Sequence, residues 1–293
     1  MVRKVICALV CMFLCSLLNA ENRYALTVFI SEYPDQSGWN DLNSSNDKKV
    51  IIPMLNKLGY RNSNIICLED ECATYSNIIK AFESLAAKVS KGDKVYVHFS
   101  CHGQQITDLN GDESSVNPKD KYDEALVPYD AYVAYGWNGY KGQNHLLDDT
   151  LYEWLSTISS TVGKDGTLLF IADACHSGDL KRTKENNKYT GYRGTFDRFE
   201  LPLQKVKKYD AREEVNWTSI SACKDFQTNF ECEYEGVRYG RLSLAVSRCM
   251  KPEMNLSELI VALKEEYAKM PLPKGKAQTL EVDSPKNALQ RVL

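Results

Sequence analysis

The chain has 293 residues, of which 43% are hydrophobic and 26% are charged, a composition typical of a globular protein. This length is sufficient for a sizeable core, in one large domain or two small ones. The net charge is −3 at pH 7, and this acidic balance argues against nucleic acid as a partner.

The first twenty residues have the pattern of a signal peptide. Arg3 and Lys4 precede a 14-residue apolar run, and the small residue Ala20 follows it. The run is short for a transmembrane helix, although an uncleaved anchor is the alternative. We expect a mature chain that begins near Glu21, is periplasmic or secreted, and has no stable membrane span. Loss of the two basic residues would lower the net charge from −3 to −5.

Strand and helix patterns alternate along the rest of the chain. Strands are predicted at 24–30, 64–68, 94–100, 167–172 and 217–222, and helices at 46–58, 74–89, 149–158, 241–249 and 256–270. Two polar loops are predicted, at 104–122 and 179–214. This alternation predicts an α/β fold with a mostly parallel sheet covered by helices on both faces.

Seven of the ten cysteines follow the predicted signal peptide. An odd number in an exported chain leaves at least one thiol outside any disulfide, and we assign that thiol to Cys175. Cys67 and Cys72 are close enough in sequence to form a local disulfide, but spacing alone does not fix the pairing. Metal binding by cysteine is not expected, because the chain contains no CxxC pair.

The two most informative strands end on a cysteine and a histidine. The apolar run 167–172 leads to Cys175, and the run 94–100 leads to His102 and Gly103. Ligand crevices form at the C-terminal ends of such strands. A cysteine thiolate is a nucleophile that needs a base, which His102 can provide, and the N–H groups of Gly103 and Cys175 could bind an oxyanion. Only the fold can bring the two strand ends together.

His98 is the alternative base, since it lies on the strand that leads to His102. It precedes the strand end, however, and no glycine follows it. His145 is predicted to be a solvated loop residue.

Six short motifs resemble those of metacaspases and bacterial caspase-like peptidases, and they occur in the same order. They are Tyr24–Ile30, Gly92-Asp93, Ser100–Gly103, Asp123–Pro128, Asp173–Gly178 and Ser221–Thr228. The resemblance runs from about residue 23 to residue 250. It implies the caspase fold, a three-layer sandwich with a mostly parallel central sheet, and cysteine endopeptidase activity.

The resemblance also assigns roles to individual residues. Cys175 is expected to be the nucleophile, His102 the general base and acid, and Gly103 an oxyanion donor. Asp173, Asp47 and Ser100 are expected in the S1 pocket, where they would select Arg or Lys at P1. Two carboxylates in a narrow cleft favour a guanidinium. For Asp47, the alternative is an exposed charge at the start of a helix.

We expect residues 21–293 to form a single peptidase domain. It would consist of a portion with the base and the nucleophile (21–178), a basic loop (179–214) and a C-terminal portion (215–293). The stretch 179–208 contains nine Lys and Arg residues. An acidic S1 pocket makes this stretch a substrate of the protein itself, so self-cleavage is expected there. A soluble, uncut loop is the alternative.

Calcium activation is a further implication of the resemblance, with Asp123, Asp148 and Asp149 as ligands. A further acid expected after the nucleophile is replaced here by Lys181 and Arg182. The acidic loop that begins at residue 108 does not complete an EF-hand pattern, and simple solvation is the alternative. The chemistry itself requires no cofactor.

Two functions of different classes remain open. The first is an exported cysteine endopeptidase that acts on peptides or proteins with a basic P1 residue. The second is a catalytically silent caspase-fold module that binds a partner, and a clostripain-like or gingipain-like relative is a third option. The presence of Cys175, His102 and Gly103 together favours the first. Cys101 stands where the family usually has glycine, and it would narrow the site or form a disulfide.

Overall fold

The computed structural model of this chain describes residues 21–111, 121–175, 191–195, 197–202, 215–224 and 226–293. The predicted signal peptide, His176 and most of the predicted loop 179–214 lie outside these ranges. None of the helices in the described ranges has the length and apolar character needed to cross a bilayer.

A six-stranded sheet forms the centre of the molecule. Its strands, in spatial order, are β11 (Glu281–Asp283), β8 (Thr218–Ser221), β7 (Thr167–Asp173), β3 (Lys94–Ser100), β1 (Arg23–Phe29) and β2 (Ile65–Glu69). All neighbours are parallel except β11, which is antiparallel to β8. Every residue of β3 and β7 is buried, as expected for parallel strands that are covered on both faces.

Helices pack on both faces of this sheet. In the described part of the chain they are α1 (Ser44–Lys57), α2 (Tyr75–Lys88), α3 (Asp148–Val162), α4 (Arg241–Cys249) and α5 (Leu256–Lys269). The apolar residues of α2 and α3 belong to one buried cluster, and those of α1, α4 and α5 belong to another. The predicted α/β sandwich, with helices on both faces of a mostly parallel sheet, is confirmed.

Two smaller sheets were not anticipated. β4 (His102–Thr107), β5 (Tyr122–Val127) and β6 (Leu146–Leu147) form an antiparallel sheet, so the prediction of a loop over 104–122 is wrong at 104–107 and at 122. The polar sequence of β4 hid the strand, because Gln104 is fully buried and its amide donates to the carbonyls of Val133 and Asp197. The second addition is a hairpin of β9 (Glu231–Tyr234) and β10 (Val237–Gly240).

The register between β3 and β7 fixes the position of the candidate site. Ser100, the last residue of β3, pairs with Asp173, the last residue of β7. His102 and Cys175 each lie two residues beyond this pair. The parallel pairing therefore brings the two predicted catalytic segments to the same edge of the sheet, although they are far apart in sequence.

Truncation of Phe82 should destabilise the fold strongly. Phe82 is fully buried on α2, and its ring stacks on Phe99 at 6.3 Å and on Trp154 at 6.1 Å. In a Cys175→Ala background, Phe82→Ala is expected to lower the free energy of unfolding by about 3–5 kcal/mol, measured by chemical denaturation. Val261→Ala, at a position on α5 that is 55% exposed, should change it by less than about 0.5 kcal/mol. Equal losses in the two variants would contradict this account of the core.

Candidate active site

Two backbone N–H groups converge on one oxygen at the C-terminal edge of the sheet. The N–H of Cys175 donates to the carbonyl oxygen of Arg193 at 2.7 Å, and the N–H of Gly103 donates to the same oxygen at 3.3 Å. These are the two groups that the sequence predicted as oxyanion donors. Two N–H groups on one carbonyl oxygen form an arrangement that can stabilise negative charge there.

The ring of His102 is held in one orientation and one tautomer. Its Nε2 lies 2.7 Å from the carbonyl oxygen of Asn40, so Nε2 carries the proton and donates it. Trp39 stacks on the ring at a centroid distance of 4.9 Å, and Tyr33 packs on it at 5.1 Å. Nδ1 is buried and has no hydrogen-bond partner among the described residues. The lone pair of a neutral imidazole is therefore on Nδ1, which is the atom that can accept a proton.

The thiols of Cys175 and Cys223 share one hydrogen-bond acceptor. The side chain of Cys175 is buried, and its Sγ donates to the carbonyl oxygen of Gln227 at 3.3 Å. The Sγ of Cys223 donates to the same oxygen, also at 3.3 Å. No disulfide joins any of the seven cysteines in the described ranges. Cys101 is one of these seven; it is buried in the core beside the site.

The three residues predicted for the S1 pocket are brought together around one guanidinium. The Oδ2 of Asp47 accepts from Nη2 of Arg193 and from Oγ of Ser100, both at 2.7 Å. Nη1 of Arg193 donates to Oγ of Ser100 at 2.5 Å and lies 4.0 Å from Oδ2 of Asp173. Asp47, Asp173, Ser100 and Arg193 are all fully buried. The alternative for Asp47, an exposed charge at a helix start, is therefore wrong.

Glu231 adds a third carboxylate that sequence reasoning missed. Its Oε1 accepts from Nη2 of Arg193 at 3.1 Å, and its two oxygens also accept from the backbone and side-chain N–H groups of Asn43. No motif marks Glu231, which begins the unpredicted strand β9. It reaches the pocket only because the hairpin of β9 and β10 folds against α1.

Gly240 leaves the space that the guanidinium occupies. A Cβ atom at this position would lie 2.2 Å from Oδ2 of Asp173 and 2.6 Å from Cζ of Arg193. The N–H of Gly240 also donates to Oδ1 of Asp47 at 2.9 Å. Any other residue at position 240 would fill the pocket.

Burial and charge act in opposite directions on the acids of the pocket. Burial raises the pKa of Asp47 to about 7, although Arg193 and Ser100 act to lower it. Burial would also raise the pKa of Asp173, but the charge of Arg193 and hydrogen bonds from Asn229 and Ser243 outweigh it, and this pKa is lowered. The pKa of Arg193 itself is raised, because three carboxylates outweigh the effect of burial.

The base candidates are separated by their surroundings. Burial and the charge of Arg193 together lower the pKa of His102 to about 4, although the hydrogen bond to the carbonyl of Asn40 acts to raise it, so the ring is neutral. The two nitrogens of His98 are both used in hydrogen bonds with Tyr96 and Ser243, and burial lowers its pKa to about 3. The prediction that His145 is solvated is wrong, because it is buried against Gln104 and Tyr140.

The acids predicted to bind calcium lie on other elements than the acids of this pocket. Asp123 is buried on β5, and Asp148 and Asp149 begin α3. The Oδ2 of Asp149 accepts from the amide of Asn110. In the described ranges, no group of three or more His, Cys, Asp or Glu side chains could hold a metal ion. Lys181 and Arg182 lie outside those ranges.

The sequence is similar to proteins of one peptidase family. A family model described as "Metacaspase, peptidase C14 domain" matches residues 25–183, more than half of the chain. Metacaspase-1A of Aspergillus terreus is 27% identical over 268 residues, which cover 76% of this chain and 62% of that protein. Metacaspase-1 of Schizosaccharomyces pombe is 24% identical over 294 residues, which cover 80% of this chain and 64% of that protein. Metacaspase-1A of Neurospora crassa is 29% identical over 139 residues, 27% of that protein. The chain therefore spans less than two thirds of the length of these relatives.

Solved structures share the fold. Protein GSU0716 from Geobacter sulfurreducens superposes with a TM-score of 0.59 at 19% identity, covering 92% of this chain and 97% of that one. Caspase-1 from Spodoptera frugiperda superposes with a TM-score of 0.57 at 12% identity, covering 93% of this chain and 88% of that one. The family and the fold that the motifs predicted are both confirmed.

Proposed function

The chain belongs to the metacaspase family of cysteine peptidases, and on this basis we propose that it is an endopeptidase that cuts after Arg or Lys through Cys175 and His102. The observation that carries the proposal is the position of Arg193. Its guanidinium lies among three buried carboxylates, and its carbonyl oxygen accepts from two converging N–H groups. A peptide bond after a basic residue fits both features at once.

The proposed reaction follows the usual course of a thiol peptidase. Nδ1 of His102 takes the proton of Cys175, and the sulfur attacks the carbonyl carbon of the P1 residue. The N–H groups of Gly103 and Cys175 bind the oxyanion that forms. His102 then gives its proton to the departing amine, and a water molecule hydrolyses the thioester. This chemistry requires no cofactor.

The hydrogen bond to the carbonyl of Asn40 prepares His102 for its role as the base. It keeps the proton on Nε2 and orients the ring, so that Nδ1 is always the accepting nitrogen. Once Nδ1 has taken a proton, the carbonyl of Asn40 also stabilises the positive charge on the ring. Asn40 therefore acts as a positioning residue through its backbone.

The acidic pocket accounts for the proposed preference at P1. Asp47, Asp173 and Glu231 would repel an acidic P1 side chain and attract a basic one. A guanidinium can bind several oxygens at once because its donors form a planar fork, whereas the Lys ammonium is a single point charge. We therefore expect Arg to be preferred to Lys.

Self-processing within 179–208 is part of the same proposal. Supporting it is the presence of Arg193, one of the nine basic residues of this stretch, in the acidic pocket. Residues 191–195 and 197–202 of the stretch are described, and its other residues lie outside the described ranges.

Calcium activation stays a prediction. Asp123, Asp148 and Asp149 do not by themselves form a metal-binding cluster in the described part of the chain, so we derive no step of the reaction from calcium. Assays with calcium and with a chelator would test it directly.

Export is also proposed, on the pattern of residues 1–20. These residues lie outside the described ranges, so the proposal depends on the basic start, the apolar run and Ala20 alone. N-terminal sequencing of protein isolated from its native cells should give Glu21 or a close neighbour as the first residue.

A panel of fluorogenic peptides with Arg, Lys or Asp at P1 tests the activity. We expect the highest kcat/KM for Arg, a lower value for Lys and no hydrolysis after Asp, because the pocket contains three carboxylates. Cys175→Ala should be inactive. Cys67→Ala, which removes an exposed thiol on β2, should be fully active. Hydrolysis after Asp alone would overturn the assignment of the pocket, and no hydrolysis of any peptide would favour a silent binding module.

The KM for an Arg peptide should depend on pH through Asp47. Since burial raises the pKa of Asp47 to about 7, this residue takes up a proton as the pH falls from 8 to 6, and a neutral carboxyl group no longer pairs with a guanidinium. KM is expected to rise up to about tenfold over this range. In Asp47→Asn, KM should be high at both pH values. Parallel pH profiles in the two proteins would argue against this role of Asp47.

A further inference from the structure

We infer that residues 191–195 are an internal substrate bound at the active site, and that Arg193–Gly194 is the peptide bond the enzyme cuts in its own chain. We also infer that the uncut segment closes the site to other substrates. Both inferences rest on the proposed function and make it more specific, since they name one bond and a consequence of cutting it.

The backbone of this segment is held as an added strand. The N–H of Arg193 donates to the carbonyl of Asn229 at 3.0 Å, and the N–H of Glu231 donates to the carbonyl of Gly191 at 2.7 Å. Tyr192 and Phe230 form an antiparallel bridge between these two bonds. Peptides are commonly recognised in this way, by pairing along an exposed strand edge. Gly191, Tyr192 and Arg193 thus occupy the places of P3, P2 and P1.

Arg193 meets both requirements of a P1 residue. Its side chain is fully buried among Asp47, Asp173 and Glu231. Its carbonyl oxygen accepts from the N–H groups of Cys175 and Gly103, the two proposed oxyanion donors. An arginine that only formed an ion pair in the core would not need its own carbonyl at that position.

Gly194 lies against the nucleophile, in the place of P1′. A Cβ atom at this position would be 2.6 Å from the carbonyl oxygen of Cys175 and 3.0 Å from its Cβ. Gly194 also forms a parallel bridge with Gly103. The absence of a side chain allows the backbone to approach this closely, so the bond that follows Arg193 is the one that lies at the site.

The chain after the bond is anchored separately. The N–H of Phe199 donates to the carbonyl of Gln105 at 2.8 Å, and its carbonyl accepts from the N–H of Thr107 at 3.1 Å. The ring of Phe199 is fully buried and packs on His145 at 4.6 Å. Hydrolysis at 193–194 would therefore detach Arg193 from this anchor, and Arg193 could then leave the pocket to an incoming substrate.

The cut consumes one water molecule. The sulfur of Cys175 bonds to the carbonyl carbon of Arg193, the C–N bond to Gly194 breaks, and His102 protonates the departing amine. Water then hydrolyses the thioester. The products are a carboxylate on Arg193 and a free α-amino group on Gly194, and the thiol and the imidazole are regenerated.

The segment also contributes to the lowered pKa of His102, which burial lowers most. The positive charge of Arg193 acts together with burial to lower the pKa of this histidine. Departure of Arg193 removes that charge, and this change raises the basicity of the ring. Cutting the bond would therefore open the pocket and improve the base in one event.

The experiment follows the full chain by intact mass and N-terminal sequencing while hydrolysis of a fluorogenic Gly-Tyr-Arg peptide is recorded. The wild type should give a new N-terminus at Gly194, and its activity on the peptide should rise after a lag, in step with the cut fraction. Arg193→Gln should be cut at this bond at least about 100-fold more slowly. It should hydrolyse the peptide without a lag, because a neutral amide does not hold the pocket closed.

Two further variants serve as controls. Arg198→Gln removes a basic residue of the same segment that lies outside the pocket, with its guanidinium over the ring of Tyr122 at 4.3 Å, so it should be cut like the wild type. Arg193→Lys keeps a positive charge and should still be cut at 193–194, more slowly. If Arg193→Gln does not fold, the cleavage of Arg193→Lys and the new N-terminus of the wild type still show whether the 193–194 bond is cut.

The outcomes separate the two levels of the proposal. If the wild type hydrolyses the peptide but the 193–194 bond stays intact, or the new N-terminus lies elsewhere, the internal substrate is wrong and the peptidase stands. Wild-type activity without a lag would overturn the closure of the site. If neither the peptide nor the chain is cut by any of the proteins, the proposed function fails as well.

Discussion

Asp47, Asp173 and Glu231 come from three separate elements, α1, β7 and β9, and their carboxylates meet in the interior of the protein. Buried charges of one sign repel each other and lose their hydration, so a group of this kind is tolerable only around a cation. The guanidinium of Arg193 is that cation. The packing of α1 and of the hairpin of β9 and β10 against the sheet thus depends on a positive charge in the pocket, from the chain itself or from a substrate.

Arg193 takes part in the site through both its guanidinium and its backbone carbonyl. The side chain neutralises the pocket, and the carbonyl oxygen is held by the N–H groups of Cys175 and Gly103. Under the proposed function, the same residue both stabilises the chain and presents a peptide bond to the nucleophile. If the protein selects basic residues, as proposed, Arg193 can block the pocket against other substrates. A side chain that binds this pocket tightly also belongs to a good substrate.

The fold makes this arrangement possible through the register of two neighbouring strands. Parallel pairing places Ser100 opposite Asp173, and the chain continues from there to His102 on one side and to Cys175 on the other. The strands that lead to these residues are fully buried, so the site is built at the edge of the core of the sheet. The ring of His102 gains its orientation from Trp39 and Asn40, which precede α1.

Periodicity predicted the elements that bury apolar residues. The ends of the five helices, and of the strands of the central sheet other than β11, were predicted to within a few residues. An apolar stripe indicates a helix with one buried face, and an apolar run indicates a strand that is buried on both faces. It failed for β4, where the buried Gln104 interrupts the apolar pattern, and for the hairpin of β9 and β10, whose strands carry charged residues. The sequence favoured His102 over His98 as the base, and the structure separates them because the chain leaves the central sheet at Cys101 and carries the two rings into different surroundings.

The sequence by itself determined the α/β architecture, the family, and the segments that would meet at the strand ends, because these follow from local patterns and short motifs. It also directed attention to Asp47, Ser100 and Asp173. Only the tertiary structure decided that Glu231 joins them, that Asn40 fixes the tautomer of His102, and that Arg193, one of nine basic residues in its stretch, is the one in the pocket. These facts depend on contacts between residues that are distant in the chain, and no local pattern records which of them will meet.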